Sequence, residues 1–289
     1  MIYLLISICI SSFLFVIFKL FEVFKINTLQ AIIVNYLVAA VLGFYMSDLP
    51  VSFQEIANQS WFYGAFFLGI LFIAVFNLMA LTSQKNGLSV ASVASKMSLV
   101  IGVIFGIVYY NESANYIKVI GILLALLAVY LTSTKETQEK VKKKSSLLFP
   151  ILLFFGSGCI DTSLKFIETT YVQEGGVPIF SATIFAFAFL IGLIFLLVKI
   201  IKGDFTFHYK NILGGILLGI PNYFSIVYLL KALSVEGMES STAFTVNNVG
   251  IVILSTLLGL FLFKEKLSVK NWLGVLIAIL GVYLVFRHG

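Results

Sequence analysis

A lysine near the middle of a long apolar stretch is the residue of this chain best suited to bind a ligand. Lys96 stands in the segment SVASVASKMSLV, where Ser89 and Ser92 lie on the same helical face. A charged residue at the bilayer centre costs about 2.5–3.5 kcal/mol on insertion scales, so it usually faces the interior of a helix bundle. Lys96 would then offer positive charge to an anionic or zwitterionic substrate. Alternatively, it extends to the nearer interface or serves a structural network.

Two adjacent amides occupy the middle of a second apolar stretch, SSTAFTVNNVG. Helical spacing places Asn248 on one face with Ser241 and Thr245, and Asn247 lies beside it. An amide side chain both donates and accepts hydrogen bonds, as a substrate carboxylate or amine requires. The alternative function is interhelical hydrogen bonding, which contributes about 0.6–2 kcal/mol per bond in membranes.

An acidic residue and two further amides complete the polar set inside the apolar stretches. Asp161, in GSGCIDTSLKF, is a protonatable carboxylate that could couple transport to a proton gradient. Lys165 follows it by four residues, so a local ion pair is the alternative. Asn35 and Asn77 are isolated amides in the middle of predicted helices. They are structural residues or, alternatively, substrate ligands that line a cavity.

Motifs of enzymes and pumps are missing from the sequence. It contains no Gly-x-x-x-x-Gly-Lys loop, no His-Glu-x-x-His and no Asp-rich motif for a prenyl phosphate. Glu112 and Glu265 stand at predicted helix ends, where a carboxylate is typical of a cap or an ion pair. Cys9 and Cys159 have no ligand spacing around them. We therefore expect no enzymatic activity, no metal and no cofactor.

The composition is that of an integral membrane protein. Hydrophobic residues make up 60% of the chain and charged residues only 11%, and the mean hydropathy is +1.07. Soluble domains carry about 25% charged residues, so this chain could not cover a surface that faces water. The net charge of +6 therefore does not indicate nucleic-acid binding.

Ten apolar windows are long enough to cross a bilayer as helices, for which about 20 residues are needed. The predicted spans are 2–24, 28–46, 61–82, 88–110, 116–133, 147–168, 178–201, 211–233, 238–263 and 270–287. The charged segment KETQEKVKKKSS, residues 135–146, separates five spans from five. We therefore predict an all-α membrane protein with ten transmembrane helices.

An internal repeat relates the two halves of the chain. Glu265 lies 153 residues after Glu112. When the two segments are aligned at that offset, eight positions are identical, and the first of them is this pair of glutamates. The first members are Glu112, Gly121, Leu123, Ala125, Leu127, Val129, Tyr130 and Leu131. A module of five spans enters the membrane from opposite sides in its two copies, so the repeats must be inverted. Many secondary transporters are built in this way.

The paired motifs resemble the EamA-like branch of the drug/metabolite transporter superfamily, whose members are ten-helix bacterial carriers. In that family the fourth helix of the repeat ends in an acidic residue, and a glycine follows nine residues later. Glu112 with Gly121 and Glu265 with Gly274 fit this pattern. Further matches are Ala80-Leu81, Ala232-Leu233, Lys19-Leu20 and Lys165-Phe166. The chain departs from the family in having no proline in the middle of its fourth and ninth spans.

The resemblance implies one five-helix EamA-like repeat at 1–134, a charged linker at 135–146 and a second repeat at 147–289. It also implies alternating-access transport of small, amino-acid-like metabolites across a bacterial inner membrane, by export or by exchange coupled to a proton or other gradient. The carrier would act as a monomer or homodimer in the lipid bilayer. The alternatives are a flippase for a lipid-linked metabolite, a membrane-embedded enzyme and a structural subunit.

Overall fold

The described part of the chain consists of helices joined by turns and short irregular connections, and it contains no strand. The computed structural model describes residues 1–47, 52–86, 94–96, 98–111, 115–133, 148–173, 175–235, 237–263 and 268–288. The helices are α1 (Ile2–Val23), α2 (Thr28–Tyr45), α3 (Phe53–Ala57), α4 (Phe62–Asn86), α5 (Leu99–Tyr109), α6 (Tyr116–Ser133), α7 (Leu148–Tyr171), α8 (Val177–Ile201), α9 (Tyr209–Leu233), α10 (Ser240–Phe263) and α11 (Val269–His288). Residues 94–96, just before α5, are also helical.

The helices follow the apolar windows closely. The window predicted at 116–133 is α6, and the window predicted at 178–201 is α8 to within one residue. The short helix α3 was not predicted. The linker at 135–146, together with Glu112 and Glu265, lies outside the described residues, so the expectations for them are untested.

Several helices are long and apolar enough to cross a membrane. By length and composition, five segments among the residues that the structure describes qualify as candidate spans: Thr28–Tyr45, Phe62–Met79, Val177–Ile201, Tyr209–Leu233 and Thr242–Gly259. Shorter apolar stretches occur in α1, α6 and α11. Many large apolar side chains on these helices are exposed, for example Ile194 on α8 and Leu276 on α11. A helix of a soluble domain would cover such residues, whereas lipid solvates them.

Contacts between helices divide the chain into two compact units, and each unit consists of two separate stretches of the sequence. The first unit comprises Met1–Phe76 and Ser163–Ser234, and the second comprises Asn77–Thr162 and Val235–Gly289.

Glycines allow α2 and α9 to pack closely in the first unit. A Cβ atom added at Gly219 would lie 2.7 Å from the Cβ of Val38 and 2.8 Å from the carbonyl oxygen of Asn35. One turn away, the amide Nδ2 of Asn222 donates to Oδ1 of Asn35 at 3.0 Å, and both residues are buried. The two helices are thus joined by close backbone contact and a buried amide pair.

An aromatic cluster fills the space beside that contact. The ring of Tyr36 packs against Phe72, Phe76 and Phe185, and its hydroxyl donates to the carbonyl oxygen of Phe72 at 3.2 Å. Tyr36 is fully buried and its hydroxyl is bonded. It is therefore a core residue of the first unit.

The second unit packs around α10. Val249 of α10 forms a buried cluster with Ala128 of α6 and Ala278 of α11. Gly102 of α5 faces Phe244 of α10, with 3.8 Å between an added Cβ and the ring. These small residues bring the neighbouring helices close to the part of α10 that carries the paired amides.

Candidate functional site

Lys96 is bound to one of the paired amides. Its Nζ donates to Oδ1 of Asn248 at 3.1 Å. Nδ2 of Asn248 in turn donates to the carbonyl oxygen of Phe244, one turn earlier on α10, at 3.0 Å. The amide is therefore fixed by its own helix and presents its oxygen to the ammonium group. Since 152 residues separate the lysine from the amide, this contact depends on the packing of the second unit.

Asp161 of α7 belongs to the same cluster. Its carboxylate and the Lys96 ammonium lie close enough for their charges to interact. Ser157, one turn earlier on α7, has its hydroxyl oxygen 3.3 Å from that of Ser95. The neighbouring Gly158 packs tightly on Ile101 of α5. Consequently α7 approaches the residues before α5 through these two serines, and it approaches α5 itself through Gly158.

Three buried polar atoms of the second unit have no hydrogen-bond partner within the described part of the chain. They are Oδ1 of Asn247, Oγ1 of Thr242 and Oγ1 of Thr162. In the sequence Asn247 is adjacent to Asn248, and Thr162 is adjacent to Asp161. Because an unpaired buried polar atom costs free energy, these oxygens are candidate ligands for a polar group of a substrate. Neither threonine was singled out in the sequence, where threonine in an apolar helix is unremarkable.

The other two predicted ligands, Asn35 and Asn77, belong to α2 and α4. Asn35 is fully buried in the first unit, where it accepts from Asn222 and donates to the carbonyl oxygen of Ile32 at 3.4 Å. Both ends of its amide are thus engaged within α2 and α9. Asn77 is half-buried on α4, at the start of the second unit. Their assignment as substrate ligands stays a prediction.

Lys165 has other partners than the one considered from the sequence. Its Nζ donates to the carbonyl oxygen of Leu233 at 3.0 Å and lies 3.7 Å from Oε2 of Glu168. Glu168 was not considered, although its spacing of three residues from Lys165 on one helix face is typical of an ion pair.

The cluster around Lys96 has the chemistry of a binding site for a small polar molecule. An ammonium, a carboxylate, an amide and hydroxyl groups can hold charged and hydrogen-bonding groups of a ligand. Within the described ranges, no group of three or more His, Cys, Asp or Glu side chains could hold a metal ion.

Comparison with known proteins gives a family match over almost the whole chain. The sequence model of the EamA-like transporter family matches residues 1–134 and 147–287. An uncharacterised protein of Haemophilus influenzae is 28% identical over 265 residues, which cover 89% of this chain and 88% of that protein. A solved crystal structure superposes with a TM-score of 0.76 at 12% identity, covering 99% of this chain and 96% of the other, and so shares the fold.

Proposed function

The chain belongs to the EamA-like transporter family, and on that premise we propose that it is a secondary membrane carrier of small polar, amino-acid-like metabolites. It works by alternating access around a cavity near the bilayer midplane. It exports its substrate or exchanges it in a reaction coupled to a proton or other gradient. Membership of a transporter family implies that its role is not enzymatic.

The proposed architecture is ten transmembrane helices arranged as two inverted five-helix repeats, at 1–134 and 147–289. The ranges matched by the family model, 1–134 and 147–287, support this division. The echo of the segment after Glu112 in the segment after Glu265 supports it independently. Alternating access requires two gates on opposite sides of one central site, and inverted repeats provide two equivalent gates of this kind.

The observation that carries the proposal is the contact between Lys96 and Asn248 beside Asp161. Placing a lysine inside an apolar helix bundle costs free energy. A lysine with a purely structural role needs only one partner to offset that cost. Here the ammonium has an amide oxygen at 3.1 Å and a carboxylate within interaction range. A substrate carboxylate would bind the ammonium, and a substrate amine would bind the carboxylate.

The paired amides divide the work between them. Asn248, whose two ends are engaged by Lys96 and Phe244, orients the ammonium and, through it, the substrate. The adjacent Asn247, buried with an unpaired Oδ1, accepts a hydrogen bond from the substrate. Asn35 and Asn77 are proposed as further ligands on the grounds of their position in the sequence alone.

Asp161 is the proposed proton-coupling residue. As a carboxylate it neutralises Lys96, and as a carboxylic acid it does not, so its proton controls the charge that the substrate meets.

We propose that the protein is located in a bacterial inner membrane, with the relative from Haemophilus influenzae as support. The carrier acts there as a monomer or homodimer.

Transport by purified protein in liposomes tests the proposal. Wild type, Lys96→Ala and the control Lys231→Ala are supplied with a panel of amino acids and related metabolites, with and without a pH gradient. Lys231 is exposed at the end of α9, so its replacement should leave transport unchanged. Lys96→Ala should carry the substrates that wild type accepts much more slowly, and only when their concentration is high. If Lys96→Ala carries each of them at the wild-type rate, the assigned site is wrong.

A further inference from the structure

A second pair of opposite charges is buried near the end of α7, and the transport site described above does not use it. Lys165 and Glu168 each have a relative exposure of 6%. Buried charges are tolerated only when partners offset the loss of hydration. The partners of this pair therefore indicate its role.

Lys165 of α7 caps the C-terminal end of another helix, α9. Its Nζ donates at 3.0 Å to the carbonyl oxygen of Leu233, the last residue of α9. The final carbonyl groups of a helix have no partner within it and carry the negative end of the helix dipole. Lys165 thus links the end of α7 to the end of α9, immediately before the connection that leads to α10.

The glutamate is held mainly by charge. Its Oε2 is 3.7 Å from Lys165 Nζ, within ion-pair range but too far for a hydrogen bond, and it has no hydrogen-bond partner among the described residues. A buried carboxylate oxygen that accepts no hydrogen bond is stabilised in its charged form mainly by the attraction of the neighbouring ammonium. Neutralisation by one proton is therefore accessible to Glu168.

The elements around the pair offer few other charges. Helix α9 presents the Leu233 carbonyl, and Lys231, two residues before its end, is exposed. Helix α4 packs on α7 where Gly64 meets Ile167, and its residues 62–76 include no Asp, Glu, Lys, Arg or His. Lys165 is thus the charged group that faces Glu168 in the described part of these elements.

We propose that Glu168 is a second proton-binding carboxylate of the carrier, and that its charge state controls how firmly Lys165 holds the end of α9. The inference rests on the proposed transport function. Glu168 takes its proton from water at the membrane face nearest the end of α7. On protonation the carboxylate charge beside the ammonium disappears and the link between α7 and α9 weakens. Loss of the proton to water restores it.

Two transport assays separate this role from substrate binding. Glu168→Gln imitates the protonated form, and Glu55→Gln, at an exposed glutamate of α3, is the matched control. Substrate counterflow needs no proton gradient, whereas accumulation driven by a pH gradient does. We expect Glu168→Gln to retain counterflow and to lose gradient-driven accumulation, and we expect Glu55→Gln to retain both. Gradient-driven accumulation by Glu168→Gln at the wild-type level would overturn the inference.

Hydrogen exchange measures the link without relying on transport. Corrected for intrinsic rates, amide exchange at residues 229–235 of wild type should be faster at acidic than at alkaline pH. In Glu168→Gln it should be fast at both, and Glu55→Gln should behave as wild type. Should wild type carry no compound of the panel while this exchange pattern holds, the transport proposal fails and the proton-controlled link stands. Exchange in Glu168→Gln that still follows wild type overturns the link even if transport succeeds.

Discussion

Replacement of Asn248 by leucine tests the contact on which the proposed binding site depends. Leucine keeps the branched shape of asparagine but has no polar atoms, so the change removes the 3.1 Å bond from Lys96 Nζ. A hydrogen bond to a charged group contributes about 1.5–3 kcal/mol, whereas bonds within membranes reach at most about 1.7 kcal/mol. Both ranges include about 1.5 kcal/mol, which corresponds to roughly a tenfold change in an affinity.

The assay is a double-mutant cycle on the half-saturation concentration for uptake into liposomes. Wild type, Asn248→Leu, Lys96→Met and the double variant are compared on one substrate. Asn248→Leu should raise the half-saturation concentration roughly tenfold when Lys96 is present. It should have little effect beside Lys96→Met, because no ammonium then remains to be oriented. The expected coupling energy is about 1.5 kcal/mol.

A matched control removes an amide that does not touch the lysine. Asn115 is exposed and its Oδ1 accepts from the backbone N–H of Ile117 at 3.1 Å, at the start of α6. The effects of Asn115→Ala and Lys96→Met should add. The reasoning is refuted if Asn248→Leu and Lys96→Met also add within about 0.5 kcal/mol, the usual scatter for independent sites.

Three further changes test the packing of the first unit by thermal unfolding in detergent. Asn222→Leu removes the donor to Asn35, so we expect a loss of about 1–3 kcal/mol that the double Asn35→Leu, Asn222→Leu variant partly restores; no recovery would contradict the amide pair. Gly219→Val should lower the Tm by overpacking α2 against α9, at a cost of about 1–3 kcal/mol, and an unchanged Tm would show that the helices do not meet there. Asn27→Ala removes the acceptor for the Gln30 N–H at the start of α2 and should cost about 1 kcal/mol, whereas Asn27→Asp should not.

The helices could be predicted from the sequence because the free energy of placing a side chain in lipid depends mainly on that residue alone. A stretch of about 20 apolar residues forms all its backbone hydrogen bonds within its own helix, and hydrocarbon solvates its side chains. The window 116–133 therefore matches α6 without reference to any neighbour. The short helix α3 was missed because five residues are too few to establish a period. The inverted arrangement of ten spans stays a prediction.

The candidate site could be predicted only as separate residues. Helical spacing put Ser241, Thr245 and Asn248 on one face and marked Lys96 as costly in lipid. It assigned no partner to the lysine, and it left Asp161 between a local pair with Lys165 and a separate function. A period of 3.6 residues gives the face of a helix but not the helix that this face meets.

By itself the sequence determined that the chain is a helical membrane protein with an internal repeat, since hydropathy and identity at a fixed offset are properties of the chain alone. Only the tertiary structure decided that Lys96 binds Asn248 beside Asp161, and that Lys165 caps α9 beside Glu168. The physical reason is that a buried charge is satisfied by whichever polar group packing brings within about 3–4 Å. In this chain those groups lie as far as 152 residues away.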